Sequence, residues 1–68
     1  MKIRLRIKEL REAAGMSRKQ LAKKLCYAEN TVAHWERSDR IPGVDTLLVV
    51  ADILSVTLDD LVVREDEA

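Results

Sequence analysis

The stretch SRKQLAKKLCYAENTVAHWE, residues 17–36, restricts the fold more than any other part of the chain. Ser17 and Gln20 have the spacing of a capping box: the serine hydroxyl accepts the Gln20 amide, and the glutamine side chain reaches back to the Ser17 amide. This predicts a short helix to about Lys24, with Leu21, Ala22 and Leu25 turned inward. After LCYA, the pattern predicts a further helix from Ala28 or Glu29 to Arg37, with Val32, Trp35 and Tyr27 on its inner side. Ala22 lies where a second helix must cross closely, so a small side chain is needed there.

The flanking segments are also helical. Ile3, Ile7, Leu10 and Ala14 follow helical spacing, and Gly15 is placed to close that helix. Ile3, Leu5 and Ile7 also alternate with Arg4 and Arg6, which is strand spacing, so residues 2–6 stay open between helix, strand and an extended arm. RSDRIPG is a loop. A fourth helix is predicted over about Val44 to Leu54, with a core stripe of Val44, Leu47, Leu48, Ala51 and Leu54, while Val49, Val50 and Ile53 fall off that stripe. TLDD, residues 57–60, is a second capping box and opens a fifth helix to about Val63. The expected fold class is all-α: five helices in a single domain over residues 1–68, with its core in 7–62 and a frayed tail at 64–68.

At 68 residues there is no room for a second core. The longest apolar run, Leu47 to Ala51, is far too short to span a bilayer, and no signal peptide is visible. One cysteine cannot form an internal disulfide, and with one histidine it cannot build a zinc site from Cys and His alone. A reduced cytoplasmic setting is therefore expected. No paired catalytic groups are present, so no enzyme activity and no cofactor are expected. Net charge is zero, but residues 1–40 hold eleven Lys/Arg against five Asp/Glu, and residues 41–68 hold one against seven. The basic end is the one a polyanion would meet.

Residues 17–36 have helix-turn-helix spacing. In such a unit the second helix enters the major groove, and the N-terminus of the first points at a phosphate. RKQLAKKLCYAENTVAHWERSDRIPGVDTLLVVADILSVTLDDLV resembles the Cro/CI repressor-type helix-turn-helix family, also called XRE. Leu21–Ala22, Trp35–Glu36, Pro42, DTLLVVADIL and VTLDDLV fall in register, and with LREAAGMS the resemblance covers about residues 7–62. It implies a compact, lambda-repressor-like five-helix domain that binds double-stranded operator DNA, mostly as a homodimer.

By position, the resemblance places Arg18 on a backbone phosphate and Glu29, Asn30 and His34 at base edges, with Thr31 and Ala33 flanking them. Asn30 suits adenine N6 and N7, Glu29 can accept from cytosine N4, and His34 can donate to a guanine acceptor or a phosphate. Arg37, Ser38 and Arg40, just past that helix, suit phosphates. Glu29 reads equally well as a first-turn acid that favours the helix dipole. Trp35 is expected to pack inward, Lys23 and Lys24 to be solvated, and Arg11 with Glu36 to form the internal ion pair of the family.

This chain departs from the family pattern in places. Cys26 stands where glycine is usual, in a turn that prefers positive φ, at a cost on the order of 1 kcal/mol. Ala28 replaces a capping serine or threonine, and Arg37–Ser38 replaces Asn-Gly. Thirteen of the residues 44–63 are apolar, more than one stripe needs. Val49, Val50, Ile53, Val62 and Val63 are therefore expected to form an interface, either with a second copy or with a protein partner. The expected function is a sequence-specific transcriptional regulator, repressing by operator occupancy because no sensor or catalytic domain is attached. The rival on the same fold is an antitoxin or anti-repressor-like module that binds a protein through the apolar C-terminal half.

Overall fold

A computed structural model describes residues 2–65. The element order is β1 (Ile3–Leu5), α1 (Ile7–Ala13), α2 (Arg18–Leu25), α3 (Glu29–Glu36), α4 (Val44–Leu54), α5 (Leu58–Leu61) and β2 (Val62–Arg64). The five helices are those the sequence predicts, and both capping boxes are formed: Ser17 with Gln20 and Thr57 with Asp60. Ala22 is buried at the α2–α3 crossing beside Leu21 and Val32.

The fold is not purely helical. Residues 3–5 take the strand among the alternatives their spacing left open, paired antiparallel with β2 in the register Ile3↔Arg64, Arg4↔Val63, Leu5↔Val62. The Arg6 amide donates to the Leu61 carbonyl at 2.8 Å and the Glu65 amide to the Lys2 carbonyl at 2.9 Å, extending the ladder at both ends. The fifth helix therefore stops at Leu61, two residues earlier than expected. Arg64 and Glu65, expected in a frayed tail, belong to this ladder, and Arg4 Nε bonds the Glu65 carboxylate at 2.9 Å. The rest of that expected tail, 66–68, lies outside the described residues.

Burial corrects the phase of α4. Its inner stripe is Leu47, Val50, Ala51 and Leu54, an i, i+3, i+4, i+7 set. Val50 is fully buried, whereas Val44 and Leu48, expected inside, face solvent. Ile53 and Val62 pack against the core and do not stand off it. The exposed apolar set is instead Ile41, Val44, Leu48 and Val49, with Tyr27 close by in the chain fold.

One device ends four of the five helices. At Gly15, Cys26, Ser38 and Ser55 the backbone takes a positive φ, and the next residue's amide bonds back five positions around the turn: Met16 to Arg11, Tyr27 to Ala22, Asp39 to His34 and Val56 to Ala51. These are Schellman closures, which favour glycine. Only α1 has one; Cys26 at φ 62° has the strained geometry the sequence suggested, and Ser38 and Ser55 share it. Ser38 has a second duty, because its hydroxyl oxygen accepts the Leu5 amide at 3.0 Å and so holds the outer edge of β1.

The two serines should therefore respond in opposite ways to glycine. A left-handed non-glycine residue costs about 1–2 kcal/mol, partly offset by the extra unfolded-state entropy of glycine. Ser55→Gly should raise the thermal midpoint by about 4 °C, since roughly 1 kcal/mol moves a domain of this size by that much or more. Ser38→Gly should lower it, because the part-buried Leu5 amide loses its acceptor at about 1–3 kcal/mol. Thermal unfolding of the two variants beside the parent checks both signs.

Candidate nucleic-acid interface

Helix α3 is divided lengthwise. Val32, Ala33 and Trp35 are buried, and Tyr27 packs edge-on against the Trp35 ring at a centroid distance of 5.0 Å. Trp35 is thus a core residue, as expected. Ala33 is also core, so it does not flank the outer face as expected from sequence. Glu29 and Asn30 are exposed on the first turn, and His34 is partly exposed one turn on. Asn30 and His34, four residues apart, share the outer side of the helix, while Glu29 is exposed on the first turn above the buried Ala33. The helix begins at Ala28 with extended backbone and no side-chain cap, as its sequence implied. Glu29 supplies the only acidic group of that first turn.

Beneath this helix lies an ion-pair cluster. Arg11 Nε donates to Glu36 Oε2 at 2.7 Å, with a longer contact from Nη2 to Oε1 at 3.4 Å, and Arg11 Nη1 donates to the Met16 carbonyl at 2.9 Å. The expected Arg11–Glu36 pair is present and buried, with side chains 8% and 3% exposed. Arg18 joins it, donating Nε to Glu36 Oε1 at 3.2 Å while 39% of its side chain stays exposed. The residue expected to hold a phosphate is thus oriented by a carboxylate on α3, a link that sequence spacing did not suggest. Its guanidinium sits at the capped start of α2, where backbone N–H groups and the helix dipole also favour an anion.

At the other end of α3 the expected phosphate residues separate. Arg40 is exposed in the loop. Ser38 is committed to β1 through its hydroxyl oxygen. Arg37 is exposed but not isolated: Nε donates to Asp39 Oδ2 at 3.2 Å, and Nη2 lies 3.0 Å from His34 Nδ1. His34 Nδ1 also lies 3.1 Å from Asp39 Oδ1. Partial desolvation pushes the Asp39 carboxyl up, but bonds to His34 and Arg37 outweigh it and hold the group below its ordinary range. Asp39 had no assigned role in the sequence. It reaches His34 because the left-handed turn at Ser38 folds the chain back, an effect no helical periodicity displays.

Charge is arranged to match. Arg4 and Arg6, counted in the basic half, pair with Glu9, and Arg4 also with Glu65, on the sheet side of the molecule. Beside α3 the cations are Arg18, which reaches Glu36 from α2, and Arg37 and Arg40 just past its end, while Lys23 and Lys24 line a groove with Ala14, Gly15 and Met16. Among the described residues there is no cluster of three or more His, Cys, Asp or Glu fit to hold a metal ion, and no helix is long and apolar enough to cross a membrane.

Comparison with known proteins agrees with this arrangement. A family profile described as helix-turn-helix matches residues 7–61, and the chain belongs to that family, the XRE-type helix-turn-helix proteins. It is 35% identical over 66 residues to the HTH-type transcriptional regulator ImmR of Bacillus subtilis, covering 97% of this chain and 52% of that protein. It is 26% identical over 66 residues to the HTH-type transcriptional activator BcrR of Enterococcus faecalis, covering 97% of this chain and 32% of that one. The chain thus spans about half of the first relative and a third of the second. An uncharacterized HTH-type regulator of Archaeoglobus fulgidus is 29% identical, with 96% of this chain and 93% of that protein covered. A crystal structure of a Bacteroides fragilis protein, assigned provisionally to DNA binding, superposes with a TM-score of 0.85 at 28% identity, covering 90% of this chain and 98% of that one.

Removing Glu36 tests the cluster. Glu36→Ala leaves the buried Arg11 guanidinium without its anion, at a cost of about 3–5 kcal/mol. That is comparable to the whole stability expected of a domain this small, on the order of 5 kcal/mol. Circular dichroism should show Glu36→Ala melting far below the parent, with up to about half of it unfolded at 25 °C, while Arg18→Ala, which removes only the exposed partner, should unfold close to the parent.

Proposed function

We propose that this protein is a sequence-specific double-stranded DNA-binding transcriptional regulator, with α3 as its reading helix. The observation that carries the proposal is the division of α3, with Asn30 and His34 outward, Val32 and Trp35 inward, and Glu29 exposed on its first turn. In this reading Asn30 pairs with adenine, Glu29 with cytosine N4, and His34 with a third base edge. Arg18, Arg37 and Arg40 lie against phosphates and fix the register without reading sequence. Ser38 keeps its hydroxyl hydrogen for a phosphate while its oxygen accepts from Leu5. The names of the relatives support regulation of transcription, and one of them is an activator. For this chain we infer repression by occupancy, since a reading face flanked by cations is by itself enough to hold an operator.

The working unit in this proposal is a homodimer. One short helix touches few base pairs, and two-fold doubling gives the palindromic half-sites, about one helical turn apart, typical of such motifs. The surface that supports it is not the expected Val49, Val50, Ile53, Val62 and Val63 set but the exposed Ile41, Val44, Leu48 and Val49. A group of exposed apolar side chains in so small a protein is the mark of an interface.

Selection of duplexes from a random pool, followed by salt titration on the winner, tests the reading. A palindromic site should emerge. Asn30→Ala should lose about 1–3 kcal/mol and its preference at one base pair per half-site, whereas Arg18→Ala should weaken all sequences alike and shallow the salt slope by about one per protomer. Failure of the parent to enrich any sequence would end the reading. A winning site with a single half-site would end the dimer.

A further inference from the structure

Two groups compete for one nitrogen of His34. Arg37 Nη2 is 3.0 Å from Nδ1, and a guanidinium can only donate, so this contact needs a lone pair on Nδ1. Asp39 Oδ1 is 3.1 Å from the same atom, and an ionised carboxylate can only accept, so this contact needs a hydrogen there. Nδ1 has one in-plane position and cannot satisfy both. Whichever neighbour wins sets the other ring nitrogen: with Nδ1–H on Asp39 the neutral ring carries a bare, accepting Nε2, and with Arg37 on Nδ1 it carries a donating Nε2–H.

We propose that Asp39 is the positioning residue that determines what His34 reads, and that Arg37 is the group it displaces. This deepens the DNA-reading assignment and rests on it. In the free protein Arg37 is shared between His34 and Asp39. On a duplex, a phosphate draws the Arg37 terminal nitrogen away, in a charge-assisted bond stronger than one to neutral imidazole. Asp39 then takes the Nδ1 hydrogen without a rival, and Nε2 faces the groove as an acceptor. His34 so held favours an exocyclic amine, adenine N6 or cytosine N4, rather than the guanine acceptor expected from the residue type alone. Phosphate contact and base choice are thereby coupled through one carboxylate.

The geometry that makes this work is local. The Schellman bond from the Asp39 amide to the His34 carbonyl, 3.2 Å, brings residue 39 back over the last turn of α3. Arg37 Nε on Asp39 Oδ2 at 3.2 Å keeps the carboxylate's other oxygen occupied and its plane oriented. Among the described residues, these are the two charged groups bonded to His34.

His34 is the only histidine in the chain, so its ring nitrogens can be read by nitrogen-15 NMR without assignment ambiguity. At alkaline pH, with the ring neutral and no DNA present, Arg37→Ala should move the tautomer balance toward Nδ1–H. Asp39→Asn, whose amide can donate to Nδ1, should move it toward Nε2–H. Both positions are exposed and leave the core untouched. An unchanged balance across the parent and both variants overturns the assignment, whatever the protein does with DNA. Duplex selection then gives the second readout. Asp39→Asn should shift one base pair per half-site from an amine-presenting to an acceptor-presenting base, by about tenfold, with the Asn30 position unmoved. A tautomer that flips while base preference stays fixed also overturns it. Absence of any enriched site with the parent overturns the DNA reading, and with it the base-choice half, while the tautomer result still decides whether Asp39 controls the ring.

Discussion

Three helices meet at the carboxylate of Glu36. Arg11 from α1 and Arg18 from α2 both bond it, and Glu36 itself is the last residue of α3. A buried ion pair of this kind adds little over an apolar contact of the same shape, because both charges give up water. Its effect lies in what it forbids. Any packing of α3 that slides Glu36 off Arg11 strands a buried guanidinium, so the register of the reading helix against α1 is fixed by a large penalty rather than by a large gain. Arg18 inherits that precision: its exposed guanidinium is oriented by the same carboxylate that locates α3, so this cation and the outward side chains of α3 are positioned together.

The sheet and the helix ends extend this unit to the rest of the chain. Ser38 closes α3 in a left-handed turn and offers its hydroxyl to Leu5, so the end of the reading helix also anchors β1. β1 in turn holds β2, which continues from α5. Glycine at residue 38 would relieve backbone strain but remove that anchor. At residue 55, where the serine is exposed, strain is the main consequence of not being glycine.

What could be foreseen from the sequence was local. α2 and its start followed from Ser17 and Gln20, the helix crossing from Ala22, the strained turn from Cys26, and the order of the series gave the family. The β1–β2 pairing was hidden because three-residue strands carry little pattern and their partners lie some sixty residues apart. The phase of α4 was misjudged because VDTLLVVADIL is apolar over so much of its circumference that two adjacent stripes fit equally well; burial of Val50 and exposure of Val44 and Leu48 show which one is used. The bond from Leu5 to Ser38 was not legible because helical spacing does not display the left-handed backbone that turns this hydroxyl toward β1. Asn30 and Glu29, fixed only by helical spacing, lie where that spacing put them.

The two ends of α3 therefore differ in kind. Its underside is pinned through Trp35 and Glu36, so Asn30 and Glu29 are presented by a helix that cannot readily rotate. Its final turn carries His34, Arg37 and Asp39, three exposed or partly exposed groups held to one another by bonds that cannot all be made at once. A fixed donor–acceptor pattern is what an amide such as Asn30 needs for a bidentate contact. A ring whose pattern depends on its neighbours needs the opposite, a small cluster close to balance that a phosphate can tip. The second arises from the left-handed residue Ser38, which ends the helix and in the next step returns Asp39 to its face.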